Sequence, residues 1–134
     1  MPSITIKGQK YSYLDDEIIY FTEGLVGLPE MRQAVLIPLA EYEPFLWLAS
    51  TDDEKNRFIV IDPNMIFSDY KPFEFAAVNE SETNTLVIVK ISSDWRKTTV
   101  NLRAPIFINK DSKRGVQTVL NESPYRLSEI LPQN

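Results

Sequence analysis

An all-β fold is what this sequence predicts: a small antiparallel β-barrel-like domain with one or two short helical turns. Three observations carry that expectation. Short apolar runs recur along the 134-residue chain with turn residues between them. The runs are dominated by β-branched and aromatic side chains, as at Ile18, Ile19, Tyr20 and Phe21, or at Phe58, Ile59, Val60 and Ile61. Helical periodicity is scarce. Many short strands with turns between them favour a closed or nearly closed barrel, because closure removes exposed edges.

Taken in order, strands are expected near residues 3–7, 11–14 and 17–21. The stretch EGLVGLPE, residues 23–30, follows with two glycines and a proline and must be a tight or irregular loop. Strands near 34–39 and 45–50 come next, then the polar hairpin loop STDDEKN over 50–56 and a strand over 57–62. The run 58–61 is continuously apolar, which predicts a strand covered on both faces. Pro63 after Asp62 can open one helical turn, and Ser123-Pro124 a second. A strand near 85–91 precedes the long alternating segment 98–109, where Val100, Leu102, Ala104, Ile106 and Ile108 share one face. Pro105 lies inside that segment and cannot donate to a ladder, so an edge or a bulge is expected there. The basic loop NKDSKRG, residues 109–115, leads into a last strand over 115–120. With no repeat or linker, residues 1–134 are expected to form one domain.

Composition narrows the chemistry. The chain is 43% hydrophobic and 25% charged, in the globular range. It has no run of the roughly 20 apolar residues that a membrane-spanning helix needs. The N-terminal stretch MPSITIKGQKYSYL lacks the pattern of a secretory signal, and a cytoplasmic location is expected. Cysteine and histidine are both absent, which excludes disulfides, thiol chemistry and imidazole-based catalysis or metal binding. Residues 1–90 hold fifteen acids against seven bases, whereas residues 91–134 hold four acids against seven bases. An overall net charge of −5 disfavours direct nucleic-acid binding and favours a basic protein partner.

The candidate surface follows from that charge. Asp15, Asp16 and Glu17 form one acidic triplet, and Asp52, Asp53 and Glu54 form another. Each reads as solvated turn, as docking surface for a basic partner, or as oxygen ligands or catalytic carboxylates. Residues 67–75, FSDYKPFEF, pack four aromatics around Asp69 and Glu74, with Lys71-Pro72 breaking any regular strand. Its rings either fold back over the barrel or leave one or two of Phe67, Tyr70 and Phe73 exposed as anchors within an acidic rim. Trp47 reads as core and Trp95 as half-exposed in a turn. Arg103 points away from the apolar face of its strand, toward an acid or an interface. Two competing functions are a small-molecule-binding β-barrel, with Trp47 and Tyr42 lining a pocket, and a hydrolase with two buried carboxylates in one cleft.

Several stretches together resemble the flagellar assembly factor FliW family. They are FTEGLVGLPE (21–30), PFLWLASTDD (44–53), FIVIDP (58–63), DYKPFEF (69–75) and above all TTVNLRAPIFINKDSKRGVQTVL (98–120). The family loop usually carries Pro and an aromatic where Val26 and Leu28 stand, a Leu at Arg103 and a Pro at Ser68. The resemblance implies a non-enzymatic cytoplasmic regulator without cofactor, monomeric when free. It implies two partners: CsrA, an RNA-binding translational repressor whose hold on flagellin messenger RNA it relieves, and flagellin, which competes for the regulator. On that reading the acids of both triplets, Asp69 and Glu74 steer the chain to CsrA while nearby rings supply the desolvated contact.

Overall fold

The computed structural model describes residues 1–132. β1 (Ser3–Ile6) and β2 (Gln9–Ser12) form a hairpin of their own. β3 (Ile19–Phe21), β4 (Gln33–Pro38), β5 (Leu46–Ser50), β6 (Arg57–Ile61) and β7 (Thr83–Lys90) are successive antiparallel neighbours. β8 (Thr99–Val100), β9 (Ile106–Asn109), β10 (Arg114–Gln117) and β11 (Glu129–Ile130) complete the set. Because β9 pairs with both β7 and β10, and β10 pairs with β3, seven strands close into a barrel. The β3–β10 seam is parallel and only two residue pairs long, Arg114↔Tyr20 and Gly115↔Phe21.

The continuous apolar runs are explained by a barrel coated on its outside. Ala34, Leu48, Val60, Leu86, Ile106 and Ile108 fill the interior, with Leu36, Leu46, Phe58 and Ile88 packed against them. The alternate residues Val35, Ile37 and Ala49 face outward and are covered by Ile4 and Ile6 of the hairpin. Farther round, Ile61, Val87 and Val89 are covered by Tyr70, Leu102 and Leu131, with Phe67 and Tyr125 beside them. Each buried aliphatic side chain contributes about 1.5–3 kcal/mol, so both faces of these strands stabilise the domain.

The segment 98–109 is not one unbroken strand, as its alternation predicts. β8 meets β7 at Val100↔Val89, and β9 meets the same side of β7 at Ile106↔Leu86. From Val89 to Leu86 β7 advances three residues, while the paired chain takes six. The three extra residues form a bulge held by its own bonds. Asn101 Oδ1 accepts the Ala104 N–H at 3.0 Å, and the Leu102 and Arg103 N–H groups donate to the Arg126 carbonyl at 3.0 and 3.1 Å. An odd surplus turns the strand over. Val100 and Leu102 therefore belong to the outer layer, and Ile106 and Ile108 to the interior. Pro105, expected at an edge or bulge, is buried there, and its carbonyl accepts the Thr118 N–H at 3.0 Å.

The turn at Pro63–Met65 forms as a 3₁₀ helix, with the Asp62 carboxylate accepting the Asn64 N–H at 2.9 Å. No helix follows Ser123-Pro124, because the Ser123 hydroxyl donates to the Leu120 carbonyl at 2.7 Å and folds the chain back locally. Further single 3₁₀ turns occur at Asp15–Glu17, Pro72–Phe75, Glu80–Glu82 and Trp95–Lys97. No helix among the described residues is long and apolar enough to cross a membrane.

Candidate protein-binding surface

Strand directions sort the acids between two ends of the barrel. β6 runs from the 50–56 loop toward Asp62, so Asp52, Asp53 and Glu54 lie at the opposite end from Asp62. At the Asp62 end, Asp16 and Glu17 stand with Asp62 around a hollow of about 520 Å³, above Ile19, Leu36, Leu86 and Ile108. Lys113 is a cation on that wall. Segment 63–74 adjoins it across Thr85, which lines both this hollow and a second one bounded by Tyr70, Phe73, Glu74 and Glu80. The structure thus places Asp16 and Glu17 on one hollow and Glu74 on the adjoining one, and leaves Asp52, Asp53 and Glu54 at the other end. Asp62, Glu80 and Thr85 were not singled out from the sequence. Asp62 reads there only as a helix cap and Thr85 only as a strand residue.

Both triplets and the acids Asp69 and Glu74 are exposed. Local bonds hold some of them: Glu17 Oε1 accepts the Leu14 N–H at 2.7 Å, and Asp53 Oδ1 accepts the Lys55 N–H at 3.0 Å. Among the described residues the one ion pair joins Asp94 to Arg96, at 3.2 Å. None of the candidate acids therefore forms an ion pair among the described residues. They sit on open rims, not as a buried pair within one cleft, and no group of three acids among the described residues is placed to hold a metal ion.

The aromatic segment folds back over the barrel. Tyr70 is 5% exposed, and its hydroxyl donates to the Leu102 carbonyl at 2.6 Å. Its ring meets Tyr125 edge-on, with centroids 4.6 Å apart. Burial first, and the neighbouring Tyr125 phenol second, push the Tyr70 pKa well above the usual phenol range. The expectation of Tyr70 as an exposed anchor is corrected: an apolar bed and an unmade carbonyl bond at Leu102 draw the ring inward. Phe67 and Phe73 are half-buried, Phe73 lying 5.3 Å from the Phe107 ring.

Trp47, read as core, is half-buried on the outer face, beneath the Lys7 ammonium at 5.7 Å and the Arg57 guanidinium at 5.0 Å. Tyr42 is exposed in a turn, so the two do not line a common pocket. Trp95 is half-exposed, edge-on to Phe45. Arg103 meets neither an acid nor open solvent alone. It donates to the carbonyls of Asn121 at 3.1 Å and Tyr125 at 3.4 Å, tying the C-terminal segment to the bulge. Arg103→Leu is expected to cost about 1–2 kcal/mol, read as a lower urea midpoint at unchanged slope. An unchanged midpoint would mean those bonds contribute nothing.

A closed seven-stranded β-barrel, wrapped outside by a hairpin and an aromatic segment and bearing unpaired carboxylates round its rims, is the class of protein these features define. The chain belongs to the FliW family: the family model described as FliW protein matches residues 5–131. It is similar to proteins named flagellar assembly factor FliW from three bacteria. That of Caldanaerobacter subterraneus is 38% identical over 84% of this chain and 81% of its own. That of Clostridium beijerinckii is 35% identical over 90% of each, and that of Bacillus pumilus 32% identical over 87% and 86%. A crystal structure of the flagellar assembly factor FliW superposes with a TM-score of 0.85 at 26% identity, covering 98% of this chain and 99% of that one.

Proposed function

We propose that this chain is a cytoplasmic flagellar assembly factor with no reaction centre, which acts by binding CsrA and flagellin in turn. One observation supports the reading above others: exposed, unpaired carboxylates gather at one barrel end beside half-buried rings. CsrA is basic where it grips RNA, so Asp15, Asp16, Glu17, Asp69 and Glu74 steer it to this end, and Phe67 and Phe73 give the dry contact. Asp52, Asp53 and Glu54 add to the long-range field from the far end. Carboxylates held near the RNA path repel phosphate, which weakens RNA binding without occupying its site. Flagellin, whose terminal segments are unfolded before assembly, has the exposed loop at Val26 and the groove of about 300 Å³ beside Val116 as its candidate contact.

Co-elution tests the reading directly. The purified chain is expected to co-elute with CsrA and to be released when flagellin is added. Failure to co-elute with CsrA sinks it. In stopped-flow measurements, the triple substitution Asp16→Lys, Asp69→Lys and Glu74→Lys should slow association at least about tenfold at low salt, with a much smaller change in dissociation. Association rates insensitive to both salt and these substitutions would remove the electrostatic account.

A further inference from the structure

Of the two hollows at the acidic end, the one beneath segment 63–74 carries on its floor a hydroxyl with no bond to another described residue. Leu86 and Ile88 point into the barrel, so Thr85 points outward with Val87 and Val89, under that segment. Thr85 is 8% exposed, and among the described residues its hydroxyl has no hydrogen-bond partner. No buried side-chain oxygen is sealed off unbonded among those residues, so this hydroxyl opens onto the hollow it lines. Thr85 is buried as a residue, and the hollow is the route by which its hydroxyl meets a partner from outside the chain.

The walls state what would satisfy it. Glu74 and Glu80 are both exposed at the rim and make no ion pair, while Lys71 is the single cation among the lining residues. Ser68 adds a second hydroxyl, and the half-buried Phe73 ring forms an apolar side. An anion would face two carboxylates. A neutral apolar group would strand the hydroxyls. The hollow holds about 290 Å³, below the range of roughly 300–1,000 Å³ typical of sites for a whole small ligand, but enough for one long side chain. A guanidinium fits each wall: it is planar and lies along a ring, it offers five donors to carboxylates and hydroxyls together, and it sheds water more readily than an ammonium.

We propose that this slot receives an arginine side chain from a basic protein partner, with its fork between Glu74 and Glu80 and its tip at the Thr85 hydroxyl. The proposal rests on the protein-binding reading above and specifies one contact within it. Arginine rather than lysine would then fix the register of the partner on an otherwise diffuse acidic surface.

The test uses the full chain, isotopically labelled for NMR, and three capped amino acids: Nα-acetyl-arginine amide and its lysine and citrulline counterparts. The arginine compound is expected to shift the backbone amides of Ser68, Phe73, Glu74, Glu80 and Thr85, the lysine compound to bind at least about threefold more weakly, and citrulline to leave them unmoved. Glu80→Gln should weaken the arginine response about tenfold, and Thr85→Val about threefold with an unchanged melting temperature. Equal responses to arginine and lysine, or shifts spread evenly to Asp52, Asp53 and Glu54, overturn the slot. CsrA co-elution is scored separately: co-elution without an arginine response refutes the slot alone, and an arginine response without co-elution refutes CsrA as the partner.

Discussion

Tyr70→Ala is expected to lower the melting temperature by more than about 10 °C, the largest effect of any single ring in the aromatic segment. Removing a buried aromatic side chain costs about 3–5 kcal/mol, and the Leu102 carbonyl loses its donor, which adds about 1 kcal/mol or more. At this chain length each kcal/mol moves the midpoint by a few degrees. Tyr70→Phe keeps the ring and should lose only about 1 kcal/mol. The phenol also sets an alkaline limit. Burial holds it neutral in the folded chain to higher pH than in the unfolded chain. Its contribution is therefore complete below about pH 10 and declines as pH rises above that, because the unfolded state releases the proton first. Tyr70→Phe should flatten this decline above about pH 10. A Tyr70→Ala variant that melts like the parent would return the ring to the surface and reinstate it as a partner contact.

Gly24→Ala is expected to be nearly as damaging, and Gly27→Ala much less. Both glycines have positive φ, +69° and +79°, in a loop closed by paired bonds between Leu25 and Leu28 at 3.1 and 2.9 Å. A Cβ at Gly27 would meet nothing within 4 Å, whereas one at Gly24 would overlap the Pro29 carbonyl group. Backbone strain alone costs about 1–3 kcal/mol, and forcing a methyl into the Pro29 backbone adds about 1–3 kcal/mol more. Denaturant midpoints of the two variants separate the terms, since only Gly24 carries both. Equal losses at the two positions would remove the overlap argument. The loop is also the candidate flagellin contact, so Gly27→Ala gives a nearly folded background in which that contact can be measured.

Much of this architecture was legible in the amino-acid order. Alternation and β-branching placed the central strands, and the unbroken apolar run at 58–61 announced cover on both faces, which Phe58 and Val60 inside and Ile59 and Ile61 outside supply. The fate of 98–109 was not legible, because Val100, Leu102, Ile106 and Ile108 keep a period of two whether or not the backbone bulges. The bulge depends on Arg126, far along the chain, accepting two N–H groups. The choice between the two readings of Tyr70 is not legible for a related reason: the neighbouring charges Asp69 and Lys71 mark a surface segment, and nothing local announces the Leu102 carbonyl beneath it that draws the ring inward. At the candidate surface the residue types were readable, while their grouping was not. Asp16 and Glu74 line adjoining hollows only because strand directions bring their turns to the same end of the barrel.

The bulge between β8 and β9 also limits how this family member can change its length. An ordinary surface turn accepts one residue more or fewer with little harm. Here a single deletion within 101–105 would make the surplus even, so either Val100 would swing toward the lumen or Ile106 and Ile108 would swing out of it. Losing two residues keeps the surplus odd and every side chain on its own side. Indels at this corner should therefore be tolerated in twos, an evenness rule written into the molecule by one pleat.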